Sequence, residues 1–301
     1  MSTIAPARRT VGASLHGPLA PLAGFLQLLA KRPSGLVGFG GIVFFFLLAF
    51  VAPIFVTGST DPDATAVYLP PSLAHLLGTD FSGRDVLNQV VQNGREVISV
   101  AVITAFISTL IAVTFGSISA TIGGWTDTLI MGVTDVVLTV PQLPVLIVVA
   151  ALARPTNLIA LAIVLSLLGW AGLLRQIRSQ VLTLKERDYV EAARSLDLGL
   201  GHIIFREILP NMRSYIVIHF VLAMTHAIYA QVALVLLGLV PFSGKNWAVM
   251  IFFADSQGSI YFKDGLWYVL APIMAIVLLQ LSLVLFVNAL EDIFNPRLRS
   301  S

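Results

Sequence analysis

Long apolar runs separated by shorter polar intervals dominate the chain, and the length of each run decides what it can become. A helix crosses the hydrocarbon layer of a bilayer with about 20 apolar residues, within a range of roughly 17 to 25. Six stretches meet that requirement: Leu36–Val56, Val97–Ile122, Leu129–Leu152, Leu158–Leu174, Ile216–Val240 and Leu266–Leu290. Asp135 is the only formally charged side chain within them, and His219 and His226 are the only histidines. The pattern predicts an all-α membrane protein with six transmembrane helices. Three polar intervals are long enough to carry structure of their own: Thr57–Glu96, Arg175–Tyr215 and Pro241–Gly265.

Composition sharpens this picture. Hydrophobic residues make up 57% and charged residues 11% of the 301 positions, with mean hydropathy +0.90. A soluble domain carries about 25% charged residues, so a water-exposed surface could not be covered, and a disordered chain would be charge-rich instead. Net charge is +2 with the basic residues scattered, which leaves no footprint for nucleic acid. The absence of cysteine excludes disulfides, thiolate metal sites and a cysteine nucleophile. Orientation follows from the basic residues. With the N-terminus inside, the inner segments hold Arg8, Arg9, Lys31, Arg32, Arg175, Arg178, Lys185, Arg187, Arg194, Arg206, Arg213, Arg297 and Arg299, against Arg84, Arg95, Arg154, Lys245 and Lys263 outside. Both termini are therefore expected in the cytoplasm. Residues 1–35 read as a cytoplasmic tail whose Leu19–Leu29 stretch is either a surface-lying helix or loosely ordered. The first span is too long for the apolar core of a signal peptide.

The interval after the fourth span is the most informative. Tyr189, Ala192, Ala193 and Leu196 fall on one stripe of a helix expected over Leu184–Leu196. That helix stops in Asp197-Leu198-Gly199-Leu200-Gly201, and a second helical stretch, His202–Leu209, carries Ile204 and Ile208 before Pro210 closes it. Small side chains at Ala192 and Ala193 would let another surface approach the backbone. Spacing alone leaves two readings open: a hairpin that tidies a long loop, or a rigid handle for a cytoplasmic partner.

Glu191-Ala192-Ala193, followed by a turn and Ile208-Leu209-Pro210, resembles the coupling loop of bacterial ABC importer permeases. Asp197 stands where that family usually has Gly; Asp tolerates the left-handed conformation, and Gly199 offers a turn displaced by two residues. Leu77-Gly78-Thr79-Asp80-Phe81-Ser82-Gly83-Arg84-Asp85-Val86-Leu87 and the terminal Asp292-Ile293-Phe294-Asn295-Pro296-Arg297-Leu298-Arg299 are similar to segments of the dipeptide/oligopeptide-type permeases, with Asn295 replacing Asp. The resemblance runs from about Leu36 to Arg299. It implies a type I ABC importer permease fold: a first span at 36–56, an extracytoplasmic segment at 57–96, a permease core at 97–290 containing the coupling loop 184–210, and a cytoplasmic tail at 291–301. The implied ATPase-coupling residues are Tyr189, Glu191, Ala192, Ala193, Leu196, Asp197, Gly199, Ile208, Leu209 and Pro210. The implied partners are a homologous second permease, two ATPase subunits carrying ATP and Mg, and an extracytoplasmic substrate-binding protein, in a bacterial inner membrane. Substrates implied are oligopeptides or, because Gly238–Ala248 is more similar to members that take them, oligosaccharides.

Energetics agree with an external motor. No Gly-x-x-x-x-Gly-Lys-[Ser/Thr] phosphate loop occurs, since Gly244-Lys245 precedes Asn246. The alternative, an ion-coupled secondary carrier, normally keeps several ionisable groups inside the membrane; an intramembrane enzyme would need a richer set than Asp135, His219 and His226. These three are the candidate pathway residues. Asp135 is either functional or, as its position near the helix start favours, a local interfacial partner. The histidines lie on one face about 10 Å apart along the axis, so they are read as polar contacts rather than as shared metal ligands. Pro141 and Pro144 are expected to kink the third span. Trp247, Phe252, Phe253, Tyr261, Phe262 and Trp267 form either an interfacial aromatic belt or, through Trp247, Phe252 and Tyr261 in particular, a contact for the binding protein.

Overall fold

Small side chains set the central packing. Ala101, Ala105, Ser108, Ala112, Gly116 and Ala120 recur every three or four residues and are all buried. They form one narrow stripe on α3 (Val86–Ile122), the longest helix of the computed structural model, which describes residues 29, 32–56, 61–240 and 245–294. Against the Ser108–Ala120 part of that stripe lies α6 (Leu158–Leu184), in the most extensive helix–helix contact among the described residues, while Ala101 packs with side chains of the neighbouring helices. A Cβ on Gly116 would meet Ile177 Cγ2 and the Leu174 carbonyl at 3.0 Å, so the backbones approach as closely as small residues permit.

The remaining helices assemble around this pair. α1 (Pro33–Phe50) continues into a short α2 (Ala52–Phe55) and packs on α12 (Leu266–Phe294). At Gly38 of α1 an added Cβ would lie 2.5 Å from the Phe286 amide nitrogen. α10 (Arg213–Leu236) contacts α3, α6 and α12. α4 (Gly124–Thr139) and α5 (Gln142–Ala153) are joined by Val140 and Pro141 and bent by 91°. Among the described residues, five helices are long and apolar enough to cross a membrane, and six spans result when the bent pair counts as one. These residues form no strand; one isolated bridge joins Thr79 and Asp85.

Several expected boundaries move, each for a visible reason. The second span was expected to begin at Val97, but its helix starts at Val86, where the Asp85 side chain accepts from the Asn88 amide (2.7 Å) as an N-cap. Its first turns carry Asn88, Gln89 and Gln92, too polar to read as a membrane span. The fourth span continues ten residues past Leu174, because Arg175 and Arg178 find acidic partners on α4. The third is broken into two nearly perpendicular helices, not merely kinked: Val140 precedes a proline and is held extended (φ −82°, ψ 133°). The interval 241–265 contains a further helix, α11 (Trp247–Ser256), packed against α3, α10 and α12. The expected amphipathic stretch before Leu29, residues 241–244 and the terminal motif from Asn295 onward lie outside the described residues.

The α1–α12 contact yields a prediction. Gly38→Leu forces a side chain into the α12 backbone, and overpacking of this kind costs about 1–3 kcal/mol. The variant is expected to lose thermal stability in detergent, measured by its unfolding midpoint, while Gly40→Leu, where nothing lies within 4 Å of an added Cβ, leaves the midpoint unchanged.

Candidate functional site: a helical hairpin on the end of the α3–α6 seam

Between α6 and α10 the chain forms α7 (Asp188–Ser195), a turn, α8 (Leu200–His202), a π-helical segment Ile203–Ile208, and α9 (Leu209–Asn211). Val190, Ala193, Ile203, Ile208 and Met212 are buried in one cluster with Ala112, Ala120, Leu174, Ile177 and Val181 of the α3–α6 seam. The hairpin is thus packed onto the helix pair as a continuation of its core. Lys185 donates to the Ala120 carbonyl at 3.1 Å and pins the C-terminal end of α6 to that of α3.

The turn resolves a specific question. Asp197 adopts the left-handed conformation (φ 54°), while Gly199 has an ordinary φ of −58°. The Leu198 amide bonds the Ala193 carbonyl (3.1 Å) and the Asp197 amide bonds the Arg194 carbonyl (2.9 Å), which is the Schellman arrangement of a helix C-terminus. The turn therefore sits at Asp197 itself and is not displaced to Gly199. Asp197→Gly should stabilise it and Asp197→Val should weaken it by about 1–2 kcal/mol. Hydrogen exchange of the Leu198 amide is expected to slow in the first variant and accelerate in the second.

Other positions depart from the sequence reading. The expected stripe of Tyr189, Ala192, Ala193 and Leu196 is rotated: the inner face is Val190 and Ala193, flanked by half-buried Tyr189 and Leu198, whereas Ala192 is exposed and Leu196 is 73% exposed. An eight-residue helix gives too few turns for its phase to be fixed by alanines alone. Glu191 is also exposed. Pro210 does not end the second helix, which runs on to Asn211. The Leu209 amide reaches back to the Ile204 carbonyl, five residues away. This wider spacing relieves the clash a proline ring makes with the carbonyl four residues before it. Ile208 is fully buried, Leu209 half-buried and Pro210 exposed. His202 and Glu207 pair across this segment at 3.5 Å.

Two acid–arginine rungs tie the bent helix to the seam. Arg178 Nε and Nη2 donate to the two carboxylate oxygens of Asp127, each at 2.6 Å, and the Ser119 hydroxyl donates to the same carboxylate. These three residues thereby join α3, α4 and α6. Eight residues further along α4, Asp135 pairs with Arg175. The sequence reading missed both partners, since Arg175 and Arg178 were placed in a loop rather than on the helix facing these acids. Their spacing of three, one helical turn, was the available signal. Asp127→Asn should lower the unfolding midpoint, and the swap Asp127→Arg with Arg178→Asp should recover part of the loss.

The remaining candidates do not converge. His219 is half-buried against the Tyr215 ring, with centroids 4.2 Å apart, and His226 is exposed one face-repeat later. Among the described residues no group of three His, Asp or Glu side chains could hold a metal. Trp247 was expected at an interface, but it is fully buried, donates to the Val90 carbonyl at 2.7 Å and fills the space beside Gly94. Neither an aromatic belt nor a partner can reach it. Phe252 and Phe253 are half-buried, and Tyr261 (88%), Phe262 (53%) and Trp267 (45%) are exposed.

The hairpin and the ends of α3, α4 and α6 occupy one end of the bundle, together with the Arg32–Asp292 pair. The loop 61–85, α11 and the α5–α6 connection occupy the other, where Gln92 donates to the Val56 carbonyl. This is the architecture of a type I ABC importer permease. Residues 112–300, which include the whole hairpin, match the family described as the binding-protein-dependent transport system inner membrane component. The chain belongs to that family, and it is a multi-pass inner-membrane permease component. It is 32% identical over 291 residues to a putative peptide permease protein of Brucella abortus, covering 96% of this chain and 95% of that one. It is 31% identical to the dipeptide transport system permease protein DppC of Bacillus subtilis (90% and 84% covered) and 30% identical to the oligopeptide transport system permease protein OppC of the same organism (88% and 86%).

Proposed function

We propose that this chain is one of two permease subunits of an ATP-driven importer of peptides, coupled to its ATPase through Glu191–Pro210, with the hairpin and both termini on the cytoplasmic side. The observation that carries the reading is the two-faced hairpin. Its inner face is continuous with the α3–α6 core, while Leu196 (73% exposed), Leu200 (50%) and Phe205 (70%) present a separate apolar ridge. An apolar ridge beside exposed Glu191 and Arg194 suits a protein groove better than water. A force on that ridge would pass through packed side chains into both long helices, and closure of an ATPase pair around ATP and Mg would supply it.

Peptides are favoured over oligosaccharides as cargo because the relatives with nearly full-length matches are named for peptides, dipeptides and oligopeptides. The extracytoplasmic binding protein delivers the cargo to the opposite end, and a homologous permease completes the pathway.

Phe205→Asp combined with Leu196→Asp is expected to lower copurification of the ATPase subunits and to cut peptide uptake by about tenfold or more, since each buried apolar side chain contributes roughly 1.5–3 kcal/mol. Association with the second permease should persist. Unaltered ATPase recovery and uptake in this variant would contradict the coupling role.

A further inference from the structure

The segment Leu77–Leu87 is built around a carboxylate that its own loop consumes. Asp80 is fully buried, and it accepts from the amides of Ser82 (2.7 Å) and Arg84 (2.9 Å) and from Gln89 Nε2 (2.9 Å). Two glycines make the fold of this loop obligatory. Gly78 (φ 71°) and Gly83 (φ 76°) are left-handed, and a Cβ would lie 2.5 Å from the Leu69 carbonyl oxygen and 1.9 Å from that of Asp63, respectively. Thr79 closes the loop by donating to the Ala66 carbonyl and accepting from the Leu69 amide.

The consequence falls on Arg84. Its backbone serves Asp80, yet its buried Nε has no acceptor among the described residues. It borders a cavity of about 430 Å³ between this loop, α3, α11 and α12, at the end opposite the hairpin. The ionised side chains that line the cavity are Arg84 and Lys245, both positive; Gln89 and Asn93 add amide groups, and Phe253 and Tyr268 supply apolar walls. A concave site with two cations, no acid among its described lining residues and an idle guanidinium nitrogen is suited to a carboxylate.

We propose that this cavity is a subsite for the carboxylate of the transported substrate as it enters from the binding protein, with Arg84 and Lys245 as its ligands. The proposal rests on the peptide-import reading. A small concave space walled by aromatic rings favours a small molecule over an acidic side chain of the docked protein, which would meet an open surface.

The test uses the whole transporter with its binding protein in proteoliposomes. Uptake of a short peptide with a free C-terminal carboxylate is compared with uptake of its C-terminal amide at limiting concentration. Because the binding protein is the same throughout, its own preference cancels when permease variants are compared. Arg84→Gln is expected to lower the acid-to-amide uptake ratio on the order of tenfold, the worth of a lost charge-assisted hydrogen bond. Arg84→Lys should retain most of the ratio, and Lys245→Gln, at an exposed position that tolerates change, should lower it in the same direction. An unchanged ratio in assembled Arg84→Gln and Lys245→Gln complexes overturns the subsite. So does an equal loss for both peptides accompanied by weaker binding-protein association, which would assign the cations to docking. A wild-type complex that imports neither peptide overturns the import reading itself, and this subsite with it.

Discussion

Everything on the hairpin side of the molecule depends on how closely α3 and α6 approach. Their seam is lined by alanine, serine and glycine, and in lipid, where apolar side chains gain little by leaving their surroundings, such close backbone contact supplies the attraction. The same seam ends in larger residues, Leu174, Ile177 and Val181, which meet Val190, Ala193, Ile203 and Ile208 of the hairpin. Membrane core and extramembrane element are therefore one packed body. A well-packed interior transmits displacement instead of absorbing it, and this is the property a coupling element needs.

Polar contacts add direction to that body. The Asp127–Arg178 and Asp135–Arg175 pairs run as two rungs between the antiparallel α4 and α6. The Ser119 hydroxyl extends the first rung to α3. Beyond Thr139 the chain turns by 91° into α5. Movement of the seam is thus carried into the bent helix near its start, while the far half, α5, is held to α6 by packing and by the Gln142–Leu168 hydrogen bond. The opposite end is organised by different means: Asp80 folds its own loop, and Trp247 locks α11 against α3.

Hydropathy made the class and the helical architecture legible, because a span must be long and apolar. It failed where helices leave the hydrocarbon. Residues 86–96 and 175–184 are helical but polar, so they read as loop; an N-cap at Asp85 and ion pairs at Arg175 and Arg178 fix them instead. The left-handed tolerance of Asp197 was readable from its chemistry, yet only the Schellman bonds decide between it and Gly199. The aromatic residues of 241–265 illustrate the opposite failure. Trp247 and Tyr261 are alike in sequence character, but one fills the space left by Gly94 and the other faces out, a distinction set by tertiary packing alone.

If the hairpin has the proposed coupling role, it should move with the seam as one unit when the transporter turns over. The chain contains no cysteine, so two introduced at exposed positions, Asp188→Cys on the hairpin but outside Glu191–Pro210 and Leu167→Cys on α6, can carry a spin-label pair in the assembled transporter. The inter-label distance is expected to be the same in the nucleotide-free and ATP-trapped states, while either label shifts relative to one on the second permease. A hairpin that changes its distance to α6 between those states, with the α6 label stationary against the second permease, would contradict that role.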